Sequence, residues 1–564
     1  MLYLSNDVAP SGAAIFCKTH LCRSGPAMRQ TAATSLRSEA VPGEASDSVV
    51  QRQASNEFVF AVVGHVGSGT SKVATTLNDL LANSSLPGGV FDAEIIKARE
   101  LIESWARDNG RELPVTSPSD LTTTSRFQDL GDEMRATGDH AIVARRAVMH
   151  IRQLRATKQG IGDPGEAPVI PDGTRRAYII DSIRHPAEVE LLRRVYREAF
   201  VLIGVVCDAK VRVERLLSNK YTNAGRNDIR KFMDRDAHAD ERYGQRVSDA
   251  FHMADFFVDN TADQYKEDHS PNLDWDINEK LNRLVKIITH TEVTRPTMAE
   301  TAMYEAHGAS LRSACLSRQV GAALIDGDGN IIATGTNEVP KAGGGVYGES
   351  FEETGEDHRC AYRATGQFCS NTREQNRIID EIFEELPELA NLDAISKQTR
   401  KLQLRASSVG NLIEFSRAVH AEMDALFSAA RKGVTTVGTR LFVTTFPCHS
   451  CARGIVTAGV DEVQYIEPYP KSLALELHSD AVTVDRRDRD GNEWVAPSRG
   501  GKRVKFSVFS GVAPRLYSRA FVKDRSLKDR NTGDYRVGLV DWGTPWDMYR
   551  ISYVELEAAL AKVA

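Results

Sequence analysis

The chain has 564 residues, 41% hydrophobic and 26% charged, with a formal net charge of −6. That length exceeds one ordinary domain, the composition is globular, and the acidic balance speaks against tight non-specific grip on nucleic acid, which needs a basic surface. Eight cysteines in so long a chain are no disulfide framework; there is no apolar stretch of membrane-spanning length and no signal-peptide pattern, so no membrane partner and a reducing cytoplasm are expected.

Residues 1–55 are rich in Ser, Ala, Gly and Arg without a sustained period and read as a disordered leader. From Phe58 the pattern turns to strand, loop and helix in FVFAVVGHVGSGTSKV. This is the layout of a phosphate-binding P-loop, G-x-x-x-x-G-K-[ST]. Gly64, Gly67 and Gly69 let backbone N–H groups approach a phosphate at a helix N-terminus, and Ser71 stands where a magnesium-binding hydroxyl belongs. Thr70 takes the lysine position, and Lys72 comes two places late, turned by roughly 200° on a helix. Phosphoryl transfer needs that charge. The loop therefore reads as a regulatory nucleotide site, for a nucleoside triphosphate with Mg2+ and a purine nucleotide as its ligand, rather than a kinase centre. A loop that merely packs helix on strand is the plainer alternative.

Further along come AYIID, a helical AEVELLRRVYREA, then FVLIGVVCDA and ADFFVDN. Strands alternating with helices imply a parallel α/β sheet, here a P-loop NTPase-like domain over residues 56–285. The remaining residues, 290–564, open with a helix over 297–315. VGAALIDGDGNIIATGTNEVP then reads as a hairpin about D-G-D-G-N. KAGGGVYGESFEETGEDHRC reads as a surface insertion. A helix through VHAEMDALFSAARKG, the strand TRLFVTTF, a helix through PCHSCARGIVTAGV and the strand DEVQYIEPY follow.

Two pieces in this half carry chemistry: His420-Ala421-Glu422 and Pro447-Cys448-His449-Ser450-Cys451. In this order they match H-x-E…P-C-x-x-C, the signature of zinc deaminases. Cys448 and Cys451, three apart on a helix, share a face and can bind one ion, with Pro447 in the first turn. His420 adds a third ligand and leaves the fourth position to water, as a catalytic zinc requires. Glu422 is then free to shuttle a proton. Taken alone, C-x-x-C also suits a redox pair or a structural zinc, and H-x-E an ordinary helix start.

At these residues the chain resembles a known family. Residues 299–470 resemble the deoxycytidylate deaminases of the cytidine deaminase-like superfamily, through SACLSRQVGAALI, IIATGTNEVP, VHAEMDAL, TTFPCHSCARGIVTAGV and VQYIEPY. The resemblance implies an α/β/α sandwich with zinc at two helix ends. It carries over His420, Cys448 and Cys451 as ligands, Glu422 as proton shuttle and Asn337 as a nucleotide contact. On the residues alone, Asn337 is equally a turn former. Asp424 stands where the family has asparagine. For a second, structural zinc, Cys315 matches one ligand and His358, Cys360 or Cys369 can contribute, but Gly410 and Ala418 replace the expected histidine and acid, and free cysteines are the plainer reading.

The whole chain is similar to bacterial deaminases fused to an N-terminal P-loop kinase-like domain, through DSIRHPAEVELLR, ADFFVDN, YPKSLALELHSD and VKFSVFSGVAPRLYSRAF. That resemblance implies a homo-oligomer that deaminates a deoxycytidine nucleotide, dCMP or dCTP, to the deoxyuridine nucleotide. It further implies gating by the P-loop domain and a role in antiphage defence. One rival is a deaminase acting on bases in RNA or DNA, which the acidic balance disfavours. Another is a nucleotide-binding switch with little catalysis, which would have no use for Glu422.

Overall fold

The computed structural model describes residues 55–83, 90–114, 120–237, 239, 241, 243–265, 270, 272, 275–348, 357–469, 471–486, 493–523, 527–535, 554 and 557. The expected leader, Ser55 apart, lies outside them, as does part of the expected surface insertion.

Strand β1 (Glu57–Val63) is buried at every position, as an unbroken apolar run must be when both sheet faces are covered. It runs through the glycine-rich loop into helix α1 (Thr70–Asn83). Then come β2 (Asp92–Lys97), β3 (Arg176–Ile183), β4 (Phe200–Val206), helix α2 (Arg226–Ala237) and β5 (Phe256–Asp259). These strands pair in parallel. The alternation read from the sequence is present, with β2 added.

Helix α3 (Met298–Ser310) opens the second half under a capping box of Thr297 and Glu300. It ends before the expected Cys315, and the chain turns through residues 311–320 towards β6 (Gly321–Ile325). The expected hairpin joins β6 to antiparallel β7 (Ile331–Thr336). The Asp326 carboxylate ties its turn by accepting the amides of Asp328 and Asn330 at 3.0 and 2.8 Å.

Two helices that the sequence reading did not anticipate follow, α4 (Ser370–Glu385) and α5 (Ala394–Ala406). After them come α6 (Ala421–Arg431), β8 (Arg440–Thr445), α7 (His449–Thr457) and β9 (Glu462–Glu467). Short β10 (Val482–Thr483), β11 (Val504–Val508), β12 (Gly511–Val512) and helix α8 (Pro514–Phe521) follow.

Two six-stranded sheets result, ordered β12-β5-β4-β1-β3-β2 and β10-β11-β9-β8-β6-β7. In the second, β6 runs antiparallel to β7 and β8, while β8, β9, β11 and β10 run parallel. Helix α6 lies close on β7: a Cβ on Gly335 would stand 2.1 Å from the Ala421 carbonyl oxygen. Only glycine permits that approach, which sets the height of α6 over the sheet.

The C-terminal extension belongs partly to the first sheet. Strand β12 pairs antiparallel with β5, and the Val512 amide donates to buried Glu300 at 2.7 Å. The Tyr517 ring stacks on Tyr304 at 4.3 Å. Farther on, the buried Glu557 carboxylate meets Arg155 at 2.7 Å and accepts the Tyr196 hydroxyl at 2.7 Å. Arg155 also pairs with Glu57 at the start of β1, at 2.7 Å. These contacts cross the expected boundary at residues 285–290. Among the described residues no helix is long and apolar enough to cross a membrane.

Candidate active site

The site grows from two helix starts. The chain ahead of α6 is held by a bridge in which Val419 and Glu338 exchange backbone hydrogen bonds at 3.0 and 3.2 Å. His420 is the N-cap residue of α6, in extended backbone, and Glu422 and Asp424 occupy its first turn. Cys448 caps α7, its sulfur accepting the Cys451 amide at 3.4 Å. Pro447 therefore stands just ahead of the cap rather than in the first turn, where its carbonyl accepts the Ser472 hydroxyl at 2.7 Å.

The His420 Nδ1 atom lies 3.4 Å from Cys448 Sγ and 3.3 Å from Cys451 Sγ. Tetrahedral zinc with ordinary bond lengths places such nitrogen and sulfur donors about 3.6 Å apart. Among the described residues, these are the only three metal-donor side chains gathered within 4.8 Å. The electrostatics suit a soft cation. Hydrogen bonds from the Cys451 thiol, with help from His420, pull Cys448 down to about 4. The same contact with Cys448 pushes His420 up to about 9. The Cys448 thiolate faces a proton on His420 that a zinc cation would replace, and thiolate and imidazole are donors zinc favours, so the residues fit the ion.

Glu422 is 3% exposed beside this triangle. Burial pushes its carboxyl up to about 7, and it touches the Cys451 thiol. A carboxyl poised near neutrality can both take and give a proton.

A cavity of about 470 Å³ opens from His420, Glu422 and Cys448. Asn337 lines it, but both ends of its amide are engaged. Oδ1 accepts the Val320 amide at 2.7 Å, and Nδ2 donates to the Arg318 carbonyl at 2.8 Å. Next to it, Glu338 accepts the Ala314 amide at 2.7 Å. Together they mould residues 314–320 into one wall. Asp424 does similar work, accepting the Thr336 amide at 3.1 Å. Cys315, Cys360 and Cys369 also reach this cavity, but with His358 they form no second three-donor cluster among the described residues. The sequence reading missed Glu338 and the wall that α4 and α5 supply.

The glycine-rich loop joins β1 to α1. Gly67 and Gly69 take φ of 83° and 88°, and a Cβ on Gly69 would fall 2.2 Å from Asn260 Nδ2, which donates to the Ser68 carbonyl. Ser71 donates to Asp181 at 2.6 Å, and the Thr70 hydroxyl lies 3.5 Å from that of Ser182. The Gly64 carbonyl accepts from Arg184 at 3.2 Å. Lys72 points elsewhere, its Nζ 5.7 Å from the centre of the Trp275 ring. The Val66 amide donates to the buried Asp236 carboxylate at 2.7 Å, and Arg184 pairs with the same carboxylate at 2.6 Å. Ser71 and Asp181 thus bring two side-chain oxygens together, and the Asp236 carboxyl lies against the loop. Asp236, Arg184 and Asn260 went unread in the sequence, because each meets the loop only through the fold.

Residues 296–467 match the family model described as the cytidine and deoxycytidylate deaminase zinc-binding region. The chain is similar to a deoxycytidylate deaminase of Enterobacteria phage T4, 31% identical over 176 residues, which cover 31% of this chain and 80% of that protein. It is also similar to ComE operon protein 2 of Bacillus subtilis (strain 168), 32% identical over 115 residues, 20% of this chain and 59% of that protein. A solved dCMP deaminase of cyanophage S-TIM5, in complex with dCMP and dUMP, aligns over 38% of this chain and 99% of its own, at 19% identity and a TM-score of 0.21.

Proposed function

This chain belongs to the deoxycytidylate deaminase family, hydrolases acting on the cytosine amino group, and from that premise we propose that it converts a deoxycytidine nucleotide to the deoxyuridine nucleotide, releasing ammonia. The observation that carries the reading is the triangle of His420, Cys448 and Cys451 with the buried Glu422 carboxyl against it, at the end of one cavity.

His420, Cys448 and Cys451 would hold zinc, which when bound supplies Lewis acidity that makes water a nucleophile near neutral pH. Glu422 moves the protons. Its carboxylate takes one from the water that attacks C4 and delivers it to N3 of the ring. It then carries the second proton to the departing amine as the C4–N bond breaks. Water and cytosine thus become uracil and ammonia. Asn337 holds the wall with one N–H and one lone pair, which leaves its second N–H for a contact with the nucleotide.

The finer reading keeps residues 56–285 as a nucleotide-responsive P-loop module that gates residues 290–564 within a closed oligomer. The positive-φ glycines and the Ser71–Asp181 pair support it. Depletion of deoxycytidine nucleotides during phage infection is the cellular role that the fused architecture suggests. The direct test is incubation of purified, zinc-loaded protein with deoxycytidine, dCMP and dCTP, with uracil products separated by chromatography. Absence of product from all three would overturn the reading.

A further inference from the structure

The cavity beside Glu422 is far more positive than the chain around it. Four cationic side chains line it, Arg318, Arg405, Arg417 and Lys471, against one carboxylate, Glu422. The whole chain carries −6. Arg318 is matched, since its guanidinium pairs with Glu467 at 2.6 Å. The other three meet only neutral groups among the described residues. Arg405 donates to the Asn376 side-chain carbonyl, Arg417 to the His358 carbonyl at 3.3 Å, and Lys471 to the Gly410 carbonyl at 3.4 Å. Cations left without acids in a concave wall raise the local concentration of anions.

Their place in the chain is informative. Arg405 is on α5, and Gly410, which Lys471 touches, follows that helix directly. Gln375 on α4 fastens the same segment by donating to the carbonyls of Gly410 and Leu412 at 3.1 and 2.7 Å. The first turn of α4 also faces the cavity through Ser370, Asn371 and Thr372. Thus α5 brings Arg405, and α4 its N-terminus, to the cavity that His420 and Glu422 also line.

We propose that Arg405, Arg417 and Lys471 hold the 5′-polyphosphate of the substrate, so that this cationic wall, to which α5 contributes Arg405, selects a deoxycytidine triphosphate over the monophosphate. This rests on the deaminase reading above. The charge count decides between the two. A monophosphate carries about −1.5 to −2 at neutral pH, which would leave the three unmatched cations undercompensated, whereas each further phosphoryl group of a polyphosphate adds a negative charge for them to pair with. Charge-assisted hydrogen bonds from guanidinium and ammonium groups are those that phosphate oxygens take most strongly.

Calorimetric titration of full-length, zinc-loaded protein carrying Glu422→Gln, in which substrate is not consumed, tests this. Affinity should rise from deoxycytidine through dCMP to dCTP, with dCTP at least about tenfold tighter than dCMP, one charge-assisted contact's worth. Adding Arg405→Gln and Lys471→Gln should weaken dCTP at least about thirtyfold and compress the series. Binding of dCTP no tighter than dCMP, or a series unchanged by the two substitutions, would overturn the assignment. Turnover by the wild-type protein is measured in parallel. Failure to form any uracil product sinks the deaminase reading, whereas the binding series judges the phosphate seat.

Discussion

The carboxylate of Asp236 accepts the amide of Val66 at 2.7 Å, so a buried acidic side chain from α2 already sits against the glycine-rich loop. Arg184 holds it there at 2.6 Å. A nucleotide phosphate approaching the loop competes with this carboxylate for the Val66 amide and for Arg184. Asp236→Asn keeps an acceptor for Val66 and removes the charge. Calorimetric affinity for Mg·ATP should then rise at least about tenfold, about 1.4 kcal/mol. Unchanged or weaker binding would show that Asp236 does not compete with phosphate.

Glu422→Gln should keep zinc and lose turnover by at least about a hundredfold, the scale of a general acid–base group. Cys448→Ala and Cys451→Ala should lose metal and activity together. Metal content by atomic emission, read beside the deamination rate, separates the two classes. An active Glu422→Gln enzyme would remove the proton role.

Asn337 makes a graded prediction. Asn337→Ala leaves the Val320 amide and the Arg318 carbonyl without their partner, a cost of about 1–3 kcal/mol. The rise should fall mainly on KM, since the cavity wall loosens while the donor triangle stays. Asn337→Asp keeps the acceptor for Val320 and should retain part of the affinity. Wild-type kinetics in Asn337→Ala would show that the wall stands without it.

Removal of the far partner of Arg155 should be milder than removal of Arg155 itself. Glu557→Ala leaves Arg155 paired with Glu57, so urea denaturation should show a loss of about 1–3 kcal/mol. Arg155→Met leaves two carboxylates buried against each other and should cost about 3–5 kcal/mol. The reverse order would mean that the two glutamates do not share one cation.

Burial, with Arg212 and Arg184 nearby, lowers the His65 imidazole from 6.5 to about 3. Its ring nitrogen meets the Ser248 hydroxyl at 3.0 Å. The unfolded chain binds a proton here that the folded chain refuses, so stability is fully present above about pH 6.5 and is lost as pH falls towards 3. His65→Gln should flatten the acid limb of a stability–pH curve measured by urea denaturation. A variant curve parallel to wild type down to pH 4 would assign the limb to other groups.

Strands β1 and β4 were legible because a strand buried on both faces is an unbroken apolar run. Strand β2, DAEIIK, at the edge of the sheet, has one fully buried residue and gave no such signal. Helix α5 buries none of its residues, so its sequence has no apolar face to read. The donor triangle was legible because its two halves are short and locally spaced. Asp236 was not, since 170 residues separate it from Val66 and only the fold joins them. The cations of the cavity wall were hidden for the same reason: Arg405, Arg417 and Lys471 are ordinary surface residues until α4 and α5 are placed.

The Arg155–Glu557 pair spans 402 residues of sequence. On a ribosome making about 5–20 residues per second, the arginine is translated roughly 20–80 s before its second carboxylate exists. The first sheet must therefore wait, during synthesis, with the Arg155 guanidinium paired to Glu57 alone. Its final locking is a timed event, tied to the emergence of Glu557.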